Sequence, residues 1–104
     1  MAIGKGLEKI KEYLETNKGA HVERIQRAIR QPSVSTEDLG VRECAEVLNG
    51  MHKEVGFHES EIVQTGGLPG LWSYYNAGAP KTIVVYANFD TRPVLPHEVW
   101  EHGP

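Results

Sequence analysis

The chain has little of what several specialised classes of protein need. Its 104 residues include one cysteine, Cys44, so no intramolecular disulfide can form, as is usual in a reducing cytoplasm. It has no run of Lys and Arg and a formal net charge of −3, so we expect neither nucleic acid nor a membrane surface as a partner. Its longest apolar stretch, 83–87, is far too short to span a bilayer. The sequence predicts one small cytoplasmic globular domain, or part of a larger one.

Helical periodicity marks the first half of the chain. Apolar residues recur every three or four positions through 4–31, which predicts helix with a break near Gly19. Pro32 disfavours helical geometry before it, and Ser35 is then the predicted N-cap of a second helix over 36–55.

The buried stripe of this second helix is predicted from the same periodicity, and Gly56 is its predicted C-terminal cap. Cys44 belongs to the stripe, which favours a core thiol over a nucleophile. The predicted stripe comprises Val41, Cys44, Ala45, Leu48, Met51 and Val55.

Three strand candidates follow, at 61–65, 70–76 and 82–89. The second is aromatic, and its rings are expected to pack the strand on a helix rather than to form a binding surface. The third is apolar on both faces, which is typical of a central strand covered by helices on each side. The predicted fold is therefore α/β, with two N-terminal helices on a mixed, mostly parallel sheet.

The third candidate strand ends on two polar residues, Asn88 and Asp90, in the stretch TIVVYANFDTRPV. Strand side chains alternate, so both are predicted to share one side, with Phe89 on the other. Ligands bind at the C-terminal ends of strands in open α/β sheets, so the pair could coordinate a cation or orient a water. The alternative is that Asp90 caps the turn before Pro93 and Asn88 bonds to backbone.

Three segments, in this order, carry a resemblance to a known family. They are IRQPSVSTED at 29–38, VGFHESEIVQTGG at 55–67 and IVVYANFDTRPVLPHEVW at 83–100. They resemble the N-terminal part of the zinc-dependent amidohydrolases and peptidases of clan MH, which include acetylornithine deacetylase, succinyl-diaminopimelate desuccinylase and carnosinase-type dipeptidases. The last segment resembles a strand and loop usually written G-H-x-D-x-x-P.

The resemblance implies zinc or another divalent metal as cofactor and a small amide or peptide substrate. It places Asp90 at the aspartate that orients a zinc-binding histidine, while Asn88 stands in place of that histidine. A carboxamide oxygen is a weak zinc ligand, so we expect this metal position to be weakened, replaced or lost. Arg92 either holds a substrate carboxylate or is a solvated loop cation.

The family's other ligands lie beyond its equivalent of Trp100. We therefore expect activity to need the remainder of the catalytic domain or a second polypeptide, and the isolated chain to be inactive. The alternative is a catalytically inactive binding module or structural subunit of the same fold, and a homo-oligomer stays open.

Overall fold

The computed structural model describes residues 2–103, and the side chains of residues 4–103. The chain divides into two compact units, Met1–Arg30 and Gln31–Pro104. In the described residues, no helix is long and apolar enough to cross a membrane.

The first unit consists of helices α1 (Ala2–Thr16) and α2 (Lys18–Arg30). The predicted helix is confirmed, and its regular geometry is interrupted at Asn17, close to the break predicted near Gly19. The Asn17 N–H donates to the Tyr13 carbonyl and the Asn17 carbonyl accepts from the His21 N–H, each at 3.0 Å. The helical hydrogen-bond pattern thus continues past Asn17.

The second unit opens with a turn and a helix, α3 (Val41–Glu54), which begins later than predicted. The predicted N-cap role of Ser35 is wrong, because Ser35–Glu37 form a separate 3₁₀ turn that ends at Asp38 with φ 49°. Gly40, with φ 71°, is the residue before α3. Two left-handed residues between the turn and the helix prevent one continuous helix from forming over 36–55.

The end of α3 confirms the predicted glycine cap. Gly56 has φ 93°. The Phe57 N–H donates to the His52 carbonyl at 3.0 Å and the Gly56 N–H to the Lys53 carbonyl at 3.1 Å, which is the Schellman pattern. The accompanying side-chain contact is a stack of Phe57 on His52, with ring centroids 4.8 Å apart.

The sheet is an antiparallel hairpin of β1 (Glu59–Val63) and β2 (Gly70–Tyr74). The less exposed side chains alternate with exposed ones along both strands, and the hairpin packs on α3. Trp72 and Tyr74 lie on the opposite face, 45% and 38% exposed, so the expectation that they pack a strand on a helix is wrong. Strand alternation gives the helix-facing positions to Leu71 and Ser73 instead.

The described residues do not confirm a mostly parallel sheet: the sheet has two strands, and 82–89 form no strand. Ile83, Val84, Val85 and Tyr86 are 85–88% exposed. A strand that is apolar on both faces needs hydrogen-bonded neighbours and cover on each side, and α3 and the hairpin cover one another instead. The general α/β class stands.

The core of the second unit lies on one side of α3. Cys44 is 4% exposed, which confirms the core thiol, and Ala45 is fully buried. Val55 was predicted to be buried and is 46% exposed, because the helix ends before it. The buried apolar residues named by the structure are Val41, Cys44, Ala45 and Met51.

Candidate functional site

The segment that carries Asn88 and Asp90 is held by backbone contacts to the turn before α3. The Thr91 N–H donates to the Ser33 carbonyl at 2.7 Å, and the Thr91 hydroxyl donates to the same oxygen at 3.3 Å. Val34 and Thr91 form an isolated parallel bridge. Asn88 and Asp90 are both exposed and Phe89 between them is half-buried.

Asp90 has one partner in the described part of the chain. The Ser35 hydroxyl donates to Asp90 Oδ2 at 2.7 Å, across 55 residues of sequence. The other carboxylate oxygen has no hydrogen-bond partner among residues 4–103, and neither does the carboxamide of Asn88. These two side chains therefore keep acceptor atoms free at the surface, and their predicted roles stay predictions.

Arg92 forms an ion pair with Glu98 and also donates to the Pro93 carbonyl at 3.5 Å. Glu98 in turn accepts from the Leu95 N–H at 3.1 Å. The hydrogen bond from the Leu95 backbone, followed by the contact with Arg92, lowers the pKa of Glu98. A substrate carboxylate at Arg92 would compete with Glu98, although the Arg92 side chain stays 68% exposed.

A zinc site needs about four ligands, chiefly nitrogen and sulfur, in tetrahedral arrangement. Within the described residues, no group of three or more His, Cys, Asp or Glu side chains lies close enough together to hold a metal ion. Asn88 and Asp90 offer oxygen atoms from two side chains only, so the donor set present in the described residues does not by itself fit zinc.

Sequence reasoning missed a polar chain between α3 and the hairpin. Ser60 donates to Asn49 Oδ1 at 2.7 Å, so its oxygen accepts from Ser73 at 2.9 Å. The Ser73 proton is then used, and His52 Nδ1–H donates to Ser73 at 2.6 Å. Burial lowers the pKa of His52. No local signal in the sequence pairs these four residues.

Comparison with curated proteins finds relatives of the chain. The chain is 29% identical to a Cys-Gly metallodipeptidase of Candida albicans, covering 94% of the chain and 24% of that protein. It is 30% identical to a Cys-Gly metallodipeptidase of Schizosaccharomyces pombe, covering 94% and 23%. It is 30% identical to succinyl-diaminopimelate desuccinylase of Bordetella pertussis, covering 77% and 20%.

No family profile and no solved structure matches the chain. The chain spans about a quarter of the length of the curated relatives it matches. The partial match fits a likeness to one portion of these proteins. The resemblance of the sequence motifs to the metallopeptidases that include this desuccinylase is confirmed, and the chain is a homologue of part of them.

Proposed function

We propose that the chain contributes one arm of the active site of a metal-dependent hydrolase that cleaves a small amide or peptide bond. Asp90 is the orienting carboxylate of this arm, and Asn88 occupies the position of a metal ligand. The remaining ligands come from further polypeptide, and the isolated chain is inactive.

The observation that carries this proposal is the exposed pair at the tip of 82–90. Both side chains are exposed, and the Asp90 carboxylate is held on one oxygen while the other stays open. A carboxylate of this kind can accept a hydrogen bond from a ligand at position 88 and so fix its orientation, which is the usual arrangement around zinc-bound imidazole. Two of the curated relatives are Cys-Gly metallodipeptidases by name, which supports the same chemistry.

The test restores the imidazole. Asn88→His in the 104-residue chain is expected to raise zinc affinity at least about tenfold, because imidazole is the better zinc ligand. NMR titration with zinc chloride measures the affinity. Gln64→His adds a histidine at another exposed position and is the matched control. In the Asn88→His background, Asp90→Asn should remove most of the gain. Equal zinc affinity in the Asn88→His and Gln64→His variants would refute the proposal.

A second candidate function is favoured by a different observation, the exposed apolar run 83–86. Four consecutive apolar residues are 85–88% exposed and have no strand partners within the part of the chain that the structure describes, which is the character of an unpaired strand. In this alternative the chain is a structural subunit, and the run adds a strand to a second polypeptide, including a second copy of the chain.

Sedimentation at several concentrations tests the second candidate. Val84→Lys is expected to shift the chain toward monomer, because a charge in the middle of the run opposes strand pairing. Val99 is 98% exposed outside the run, so Val99→Lys is the matched control and should leave association unchanged. A wild-type chain that stays monomeric at all concentrations, alone and with a candidate partner, would count against this function.

A further inference from the structure

The turn before α3 places a hydroxyl on the carboxylate of the candidate site. Ser35 Oγ lies 2.7 Å from Asp90 Oδ2, within the range of a hydroxyl donating to an ionised carboxylate. Asp90 forms no other hydrogen bond in the part of the chain that the structure describes. The orientation of the Asp90 side chain therefore depends on Ser35.

We propose that Ser35 is a positioning residue for Asp90, an inference that rests on the proposed function. Donation to Oδ2 occupies one oxygen and selects one side-chain rotamer of Asp90. The other oxygen is then directed to a neighbour, either the side chain at position 88 or a group from further polypeptide. Ser35 acts through Asp90 and is not itself a metal ligand.

The turn is shaped for this task independently of Asp90. Val34 and Leu39 exchange two backbone hydrogen bonds, with N–H donation from Val34 at 2.8 Å and from Leu39 at 3.1 Å. At Gly40, with φ 71°, a Cβ atom would lie 2.2 Å from the Pro32 carbonyl oxygen, so the close approach requires glycine. Ser35 thus projects from a turn whose shape is fixed by local contacts.

The hydroxyl of Ser35 is free of the capping role that its position in the sequence suggests. The residue before the 3₁₀ turn is Val34, which makes no side-chain cap hydrogen bond. The docking of 90–91 has its own contacts, through the two Thr91 donations to the Ser33 carbonyl. Removing the Ser35 hydroxyl should therefore release the Asp90 side chain while the backbone stays docked, and this separates positioning from general structural support.

The experiment uses Ser35→Ala, which removes the donor, and Ser35→Thr, which keeps it. Three-bond couplings in the 104-residue chain report the Asp90 rotamer. We expect averaging over rotamers in Ser35→Ala and a single rotamer in the wild type and Ser35→Thr. Amide hydrogen exchange at Thr91 is the control, and it should be equally slow in the wild type, Ser35→Ala and Ser35→Thr. An unchanged Asp90 rotamer in Ser35→Ala would overturn the proposal, as would equal loss of Thr91 protection and rotamer order.

Zinc affinity in the Asn88→His background is the second readout. Adding Ser35→Ala is expected to lower zinc affinity about tenfold, within the usual range for groups that orient a ligand, and Ser35→Thr should restore it. Equal affinity with and without the hydroxyl would overturn the proposal. If Asn88→His itself binds zinc no better than Gln64→His, the proposed function fails, and the Asp90 rotamer alone decides whether Ser35 positions that side chain.

Discussion

Replacing each of three glycines in and next to α3 by alanine distinguishes the cost of backbone strain from the cost of steric overlap. Gly50 lies inside the helix, and an added Cβ meets nothing within 4 Å. Gly56 has φ 93° and the same open surroundings. Gly40 has φ 71° and would also place its Cβ 2.2 Å from the Pro32 carbonyl oxygen. Alanine therefore imposes neither effect at Gly50, backbone strain alone at Gly56, and backbone strain with steric overlap at Gly40.

The expected free energies of unfolding follow from this geometry. Gly50→Ala should stabilise the chain by about 0.5–1 kcal/mol, because alanine is the better helix former. Gly56→Ala should cost about 1–2 kcal/mol, the penalty of a left-handed residue with a Cβ. Gly40→Ala should cost about 3–4 kcal/mol, because relieving the overlap also disturbs the bond from the Cys44 N–H to the Gly40 carbonyl.

Urea denaturation of the three variants, followed by circular dichroism, measures the order of stability. Each unfolding curve gives a midpoint that can be compared with the wild type at the same pH and salt concentration. The reasoning is refuted if Gly40→Ala is as stable as Gly56→Ala, because the overlap with Pro32 would then have no energetic consequence. Asp90 rotamer averaging in Gly40→Ala would link the shape of the turn to the candidate site.

Further predictions concern single side chains. Burial lowers the pKa of His52 below 6.5, so the unfolded chain binds a proton before the folded chain does as the pH falls. The free energy of unfolding should therefore be highest above about pH 6.5 and decrease below it. His52→Asn keeps a hydrogen-bond donor and should reduce the pH dependence of the urea midpoint between pH 5 and 7.5. The Ser33 hydroxyl is buried and has no hydrogen-bond partner among the described residues, so Ser33→Ala should raise the free energy of unfolding by about 1 kcal/mol, and a fall of that size would contradict the unpaired state. Cys44 should react with a thiol reagent slowly in buffer and rapidly in urea, and fast labelling of the folded chain would contradict its burial.

Local chemistry made parts of the fold predictable. Gly56 was identified as a cap because glycine after an apolar helical stripe has a local cause, the left-handed residue that ends a helix. Cys44 was placed in the core by helical spacing alone. In both cases the residues that determine the structure lie within a few positions of one another.

Contacts between distant residues were not predictable in this way. Ser35 has the residue type and position of an N-cap, yet its hydroxyl donates to a carboxylate 55 residues later. No residue near Ser35 in the sequence indicates that partner. The run 83–86 has the apolar pattern of a central strand, but this pattern does not identify which strands would pair with it. The family resemblance predicts a site role for Asp90, while the strand periodicity predicted for 82–89 did not identify the partner of its carboxylate.

The docking of 90–91 on the turn has a kinetic consequence. Once α3 and the hairpin have formed, bringing Asp90 to Ser35 closes a loop of residues 75–89, at an entropic cost of about 2 kcal/mol for roughly fifteen residues. The two donations from Thr91 to the Ser33 carbonyl and the partial burial of Phe89 oppose that cost, and neither involves the Ser35 hydroxyl. The docked segment is therefore held less firmly than α3, so it should detach and rebind many times before α3 unfolds, and a partner can bind it while the rest of the chain stays folded.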